Sequence, residues 1–84
     1  MSEALETLPN IGRVLAGRLR AAGIADAGAL RRLGDRAAFL RLRADLPEDA
    51  CTHTRLALAG AVRGVRWHDL EPELRQRLAA EMRR

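Results

Sequence analysis

The sequence predicts a small all-α domain, and three observations support this prediction. The chain has 84 residues, the length of a single domain, and 48% of them are hydrophobic. Sixteen alanines and fourteen leucines give it a strong preference for helix. No segment alternates β-branched or aromatic residues with polar ones, as a half-buried strand requires. We therefore expect one compact domain over residues 1–84, built from five or six helices.

A tight turn near the start of the chain separates two predicted helices. A short helix follows Ser2, a candidate N-cap, and runs through Leu8. Pro9 cannot continue this helix and Asn10 tolerates a positive φ, so the chain turns there. A second helix then begins at about Gly12, with its unpaired N–H groups and the positive end of its dipole facing outward. This is the layout of a helix-hairpin-helix element, which makes nucleic acid the first partner to consider.

Turn-forming and capping residues divide the middle of the chain into further helices. Gly23 is suited to the left-handed conformation that ends the second helix. Asp26 is placed to cap a third helix, which Gly34 stops. Asp35 is placed to cap a fourth helix, which ends before Pro47. Leucines at helical spacing within these segments indicate a face directed toward the core.

A longer helix over residues 48–63 is expected to be the central strut of the domain. Glu48 and Asp49 lie in its first turn, where negative charge complements the helix dipole. Its centre, residues 56–62, is small on several sides, so neighbouring helices can approach it from more than one direction. A connector over residues 64–68 follows it.

The last predicted helix carries an apolar stripe. Asp69 and Pro72 open this helix. The stripe comprises Leu70, Leu74, Leu78 and Met82. If it is wider than one small domain can cover, a homodimer or a regulatory protein would bury it. Trp67 is either an anchor for such a partner or the residue that closes a core poor in aromatics. The candidate partner-binding residues are therefore Trp67, Leu74, Leu78 and Met82.

The charge distribution favours an anionic partner. The net charge is +4 and all fifteen basic residues are arginines. Residues 11–44 contain eight arginines and two acidic residues, whereas residues 1–10 contain two acidic residues and no base. Four arginines, Arg31, Arg32, Arg41 and Arg43, are candidates to extend a basic surface. The alternative is a solvated face with local pairs, such as Asp35 with Arg31 or Arg32.

The hairpin is the candidate DNA site. We expect the backbones of Ile11, Gly12 and Arg13 to contact phosphates, with charge added by arginine side chains. The full set of candidate residues is Asn10, Ile11, Gly12, Arg13, Arg18 and Arg20. Such contacts position DNA without reading its sequence, and no helix with a base-reading pattern is evident. The alternative is a purely structural hairpin that packs two helices together.

Catalytic and metal-binding residues are not evident. Cys51, His53 and His68 do not have the paired spacing of a closed zinc site, and the first two face different ways on a helix. We expect Cys51 to be a small buried hydrophobe and His53 to be exposed. No phosphate-binding loop, metalloprotease motif or serine nucleophile motif is present, so neither enzymatic activity nor a cofactor is expected. The single cysteine and the lack of a signal peptide or a long apolar run predict a cytoplasmic protein that does not contact a membrane.

Five blocks of the chain resemble the C-terminal domain of the TfoX/Sxy family of competence regulators. They are residues 8–12, 22–24, 33–34, 38–43 and 57–70. The resemblance implies an all-helical domain related to helix-hairpin-helix modules, with a role in the transcriptional control of DNA uptake. Two departures are notable. The mixed α/β N-terminal domain of full-length members has no counterpart here, and Asn10 stands where DNA-binding hairpins usually have glycine.

Two functions are therefore expected from the sequence. The first is a non-catalytic accessory or regulatory module that binds the backbone of double-stranded DNA. The second is a protein-interaction or self-association module that does not bind nucleic acid directly.

Overall fold

The computed structural model describes residues 3–82, which form five α-helices, three short 3-10 segments and no β-strand. The helices are α1 (Arg13–Ala21), α2 (Ala27–Leu33), α3 (Asp35–Leu42), α4 (Glu48–Arg63) and α5 (Pro72–Met82). The 3-10 segments are Leu5–Thr7, Arg43–Asp45 and Trp67–Asp69. The all-α prediction is confirmed. None of the helices in this part of the chain combines the length and the apolar character needed to cross a membrane.

Helix α4 is the central strut, as predicted. It packs against α3 on one side and against α5 on another, and its residues 54–61 are buried around the whole circumference. Leu58 and Ala61 belong to the main apolar cluster, which also receives α1, α2 and α3. Leu56 and Ala59 belong to a second, smaller cluster beneath α5. Small side chains on several sides of α4 allow this close packing.

Helix α1 ends as the sequence predicts. Gly23 has a φ of 87°, in the left-handed region. The Ile24 N–H donates to the carbonyl of Leu19 at 2.9 Å, and the Gly23 N–H donates to the carbonyl of Arg20 at 3.0 Å. These two bonds define a Schellman motif, which satisfies carbonyls that the helix end would otherwise leave unpaired. Ile24 is thereby placed in the core.

The predicted first helix is wrong in length. Among residues 3–8, only Leu5–Thr7 is helical, as a single 3-10 turn. Ala4 on one side and Leu8 on the other are both extended, with ψ of 147° and 148°. Pro9 disfavours the helical conformation for the residue before it, so three residues remain for the turn. The first arm of the helix-hairpin-helix element is therefore not an α-helix. The proposed cap, Ser2, lies outside the described residues.

The two aspartate caps have different outcomes. The Asp26 side chain accepts a hydrogen bond from the Ala29 N–H at 2.8 Å and caps α2, as predicted. The predicted cap by Asp35 is wrong, because Asp35 is the first residue of α3 and Gly34 occupies the N-cap position. Gly34 ends α2 and also begins α3, so no position remains for Asp35 between the helices. Its carboxylate instead contacts Arg55 on α4.

Candidate nucleic-acid interface

The hairpin is a tight turn. The Ile11 N–H donates to the carbonyl of Leu8 at 3.4 Å, and Asn10 has a φ of 70°. Proline at the second position and a positive φ at the third are the features of a type II turn. The side chain of Ile11 is buried and its N–H is used within the turn. Ile11 therefore holds the turn in place and has no free N–H to offer to a phosphate.

The N-terminus of α1 is open to solvent. Its first internal hydrogen bond runs from the Ala16 N–H to the carbonyl of Gly12 at 2.9 Å. The three preceding N–H groups, on residues 13–15, have no acceptor within the helix. Gly12 has no side chain to cap them, and a Cβ built on it would meet no atom within 4 Å. Val14, in the same turn, is 72% exposed.

Helix α1 differs in this respect from the other four described helices. Asp26 caps α2, and α3, α4 and α5 each carry an acidic residue in the first turn. Helix α1 has neither a capping side chain nor an acidic residue there. Its positive end is therefore not offset by a nearby carboxylate of its own first turn, and it can attract an anion.

The three candidate arginines of α1 have different environments. Arg13 is exposed and has no ion-pair partner in residues 3–82. Arg18 is half-buried and donates to the carbonyl of Asp45 at 2.9 Å. Arg20 is bound by both carboxylate oxygens of Glu6, at 2.6 and 3.0 Å. This hydrogen bond from Arg20 lowers the pKa of Glu6. Arg13 therefore provides free charge at the hairpin, whereas the charge of Arg20 is already balanced.

Basic side chains line three cavities that share arginines with one another, beginning next to the hairpin. Arg13 and Arg18 line a cavity next to the α1 N-terminus. Arg18 and Arg41 line the next cavity, together with Asp45. Arg41 and Arg32 line a third, beside the end of α1. We call Arg13, Arg18, Arg41 and Arg32 the basic strip.

The two remaining candidates lie outside the basic strip. Arg31 forms an exposed ion pair with Glu3 at 3.1 Å. Arg43 lines a different cavity, together with Arg36. The predicted basic surface is thus divided between two places, and neither Arg31 nor Arg32 pairs with Asp35.

Asn10 has a structural role that the sequence did not reveal. Its Nδ2 donates to the carbonyl of Val65 at 3.0 Å and to that of Ala57 at 3.3 Å, and its Oδ1 accepts from the Trp67 N–H at 2.9 Å. We call these three bonds the Asn10 clamp. The clamp fixes the connector after α4 to the hairpin and uses both polar atoms of the side chain. The amide of Asn10 is therefore already used within the domain, and the residue shapes the hairpin turn through its backbone.

Gly60 makes room for the Asn10 clamp. A Cβ at this position would lie 2.5 Å from Nδ2 of Asn10 and 2.6 Å from the carbonyl oxygen of Val65. Only glycine allows this approach without displacing one of the two groups. A glycine inside an otherwise alanine-rich helix was the sequence signal for a close backbone contact.

The connector holds an aromatic cluster. Trp67 is half-buried and packs on the smaller apolar cluster beneath α5. The rings of His53 and His68 meet it edge-on, with centroids 5.5 and 5.6 Å away. This position fits the core explanation of Trp67. His53 is exposed as expected, whereas Cys51 is half-buried at the edge of the main cluster. Within residues 3–82, no group of three or more metal-ligand residues comes together.

The apolar stripe of α5 packs inside the molecule. Leu70 and Leu78 are buried against α4, and Leu78 is only 3% exposed. Leu74 packs on the same cluster and Met82 packs on the main one. The stripe thus contributes to the core of the domain, and its binding to a second copy or to a regulatory protein stays a prediction.

Arg55 is a buried charged residue that the sequence analysis did not single out. It is 4% exposed, in the middle of α4, and its Nη1 lies 2.5 Å from Oδ2 of Asp35. Its Nε lies 3.5 Å from Glu81, and Arg63 lies 3.7 Å from Asp35. We call these four residues the Arg55 cluster. An arginine inside the buried centre of a helix was the available signal, but its partners are 20 or more positions away.

The Arg55 cluster changes the acidity of Asp35. Burial by itself raises the pKa of this carboxyl, but the hydrogen bond and charge of Arg55, with the charge of Arg63, outweigh it. The net result is a pKa below the usual value for aspartate. Asp35 is therefore ionised at neutral pH and neutralises a buried cation.

Known proteins support the fold. The family model of the TfoX C-terminal domain matches residues 1–82. The crystal structure of an uncharacterised protein from Listeria monocytogenes, in a triclinic form, is 40% identical, with a TM-score of 0.80 over 88% of this chain and 83% of that one. A second structure, of a Listeria monocytogenes protein of unknown function in a tetragonal form, is 38% identical, with a TM-score of 0.84 over 94% and 95%. No curated protein sequence matches this chain.

Proposed function

Because the chain belongs to the TfoX C-terminal domain family, we propose that it is a non-catalytic module that binds double-stranded DNA through its phosphates. The process it serves would be related to competence or to transcription, as the family suggests. The two similar Listeria monocytogenes structures are of proteins described as uncharacterised or of unknown function, so the proposal depends on the geometry of the hairpin.

The open N-terminus of α1 is the observation that carries this proposal. The N–H groups of residues 13–15 have no acceptor within the helix, and Gly12 and Arg13, at the positive end of the dipole, are exposed. A phosphate placed there would accept hydrogen bonds from the backbone and would be attracted by the helix dipole. Arg13 adds a guanidinium that has no competing carboxylate in the described chain.

The basic strip extends the contact beyond one phosphate. Arg18, Arg41 and Arg32 follow from the hairpin along three helices. The DNA backbone carries phosphates at regular intervals, so several arginines on one surface can contact several phosphates. These contacts go to phosphates and not to base edges, so we expect weak dependence on sequence and strong dependence on salt.

Fluorescence anisotropy of a short labelled duplex, titrated at several salt concentrations, tests the proposal. We compare the wild-type chain with Arg13→Ala and, as a matched control, with Arg77→Ala, which removes an exposed arginine of α5. We expect Arg13→Ala to weaken binding and to reduce the slope of log affinity against log salt by about one. The control should change neither. Lack of binding at low salt, or equal effects of the two variants, would contradict the proposal.

A further inference from the structure

A second basic site lies on a different face of α3, between α3, α4 and α5. It is a cavity of about 250 Å³. Its charged lining consists of Arg36 from α3, Arg43 from the 3-10 segment that follows it, Arg55 from α4 and Glu81 from α5. None of these residues belongs to the hairpin or to the basic strip. The cavity is therefore separate from the proposed DNA site.

The deepest charged group of the cavity is incompletely bonded. Arg55 is 4% exposed, and its Nη1 donates to Asp35. Its Nε is buried without a hydrogen-bond partner, with Glu81 at 3.5 Å. Buried donors that lack an acceptor are unfavourable, so an acceptor supplied by a ligand in the cavity would be favourable.

Two further guanidinium groups stand at the opening of the cavity. Arg36 and Arg43 are exposed. Arg43 is the C-cap of α3 and keeps a helical backbone conformation, so the spacing of seven places it on the same side as Arg36. Neither forms an ion pair with any of the described residues. The lining thus carries three positive charges, with Arg55 included, and one negative charge, on Glu81. Behind Arg55, the negative charge of Asp35 is balanced by the positive charge of Arg63. The site therefore carries a net positive charge.

The other walls of the cavity are apolar. They are formed by Phe39, which is buried, by Met82 and by Leu40, which is 54% exposed. A large exposed leucine between two arginines suits a ligand that combines a negative charge with an apolar group. An inorganic ion would leave these walls without a contact.

We propose that this cavity binds a small organic anion. The carboxylate or phosphate of the ligand would contact the guanidinium groups of Arg36, Arg43 and Arg55. Its apolar part would contact Phe39, Leu40 and Met82. Glu81 opposes the ligand by charge repulsion and competes for Arg55. This site is independent of the proposed binding of DNA.

Titrations followed by NMR on the full 84-residue chain test this inference. The probes are benzoate and phenyl phosphate, with acetate and inorganic phosphate as matched anions that lack the ring. We expect saturable shifts of the amides around residues 36–43 and 81–82 with the two aryl anions. Acetate and inorganic phosphate should bind at least about tenfold more weakly, since they leave the apolar walls uncovered.

Two substitutions with opposite expected effects on the affinity for the aryl anions locate the site. We expect Arg43→Ala to weaken the binding of the aryl anions about tenfold, because one charge-assisted hydrogen bond is lost. Glu81→Gln should tighten binding several-fold, and Arg77→Ala should leave it unchanged. Three results would overturn the inference. They are a lack of saturable binding by either aryl anion, equal binding of the bare anions, and equal effects of Arg43→Ala and Arg77→Ala.

Discussion

Helix α4 is held by two polar attachments that differ in charge. The Asn10 clamp, on the hairpin side, is neutral and joins an amide to backbone groups. The Arg55 cluster, on the side of α3 and α5, buries a full positive charge beside Asp35. On the hairpin side the positive charge is exposed to solvent, at Arg13 and at the N-terminal end of the α1 dipole. On the side of α3 and α5 the charges are buried, so their pairing contributes to the stability of the fold.

The largest effect on stability is expected from Asp35→Asn. This change leaves Arg55 buried with Glu81 as its nearest remaining partner, at 3.5 Å. Removing one partner of a buried ion pair is strongly destabilising, and we expect a loss of about 3 kcal/mol in the free energy of unfolding. Urea denaturation followed by circular dichroism measures it. Asp45→Asn, at an exposed carboxylate without an ion-pair partner among residues 3–82, is the control and should change little.

A smaller loss is expected when the neutral clamp is disturbed. Gly60→Ala places a methyl group 2.5 Å from the Asn10 amide nitrogen, so the hairpin or the connector must move. Overpacking of this kind costs about 2 kcal/mol. Gly17→Ala is the matched control, because a Cβ there meets no atom within 4 Å on the exposed side of α1. It should stabilise the domain by about 0.5 kcal/mol or more. A neutral Gly60→Ala in the same denaturation experiment would contradict the clamp.

Acid should weaken the charged attachment and not the neutral one. The pKa of Asp35 is lower in the folded chain than in the unfolded chain. Its contribution is therefore complete above the unfolded pKa of about 4 and decreases as the pH falls through the folded value. Thermal unfolding between neutral pH and strongly acidic pH should show this loss. In Asp35→Asn the corresponding part of the pH dependence should be absent, and an unchanged dependence would rule out Asp35 as its source.

Local signals in the sequence predicted the helix ends well. The acidic first turn of α4 and the glycine after it gave its bounds, and Gly23 gave the end of α1. These features depend on neighbouring residues, so a sequence pattern contains them. The predicted length of the first helix was wrong because Pro9 not only ends the segment but also disfavours the helical conformation for Leu8. The prediction that Asp35 caps α3 was wrong because Gly34 is both the C-cap of α2 and the N-cap of α3.

Long-range partners could not be predicted in this way. Asn10 binds groups 47 to 57 positions away, and Asp35 binds an arginine 20 positions away. Both residues have side chains that also fit a local role, as a turn residue or as a cap. The departure from glycine at position 10 now has a physical explanation. Asparagine adopts the same left-handed conformation and adds the clamp, which glycine cannot provide.

A comparison of two substitutions at Gly12 tests the central claim most directly. A Cβ at this position meets no atom within 4 Å and the φ of −93° suits any residue, so both variants should fold. Gly12→Asp supplies a capping carboxylate to the open N–H groups, whereas Gly12→Ala leaves them free. Anisotropy titrations with the labelled duplex should show that the aspartate variant loses DNA binding while its melting temperature stays the same or rises. The alanine variant should bind as the wild-type chain does. Equal binding by all three proteins would show that α1 does not receive the phosphate.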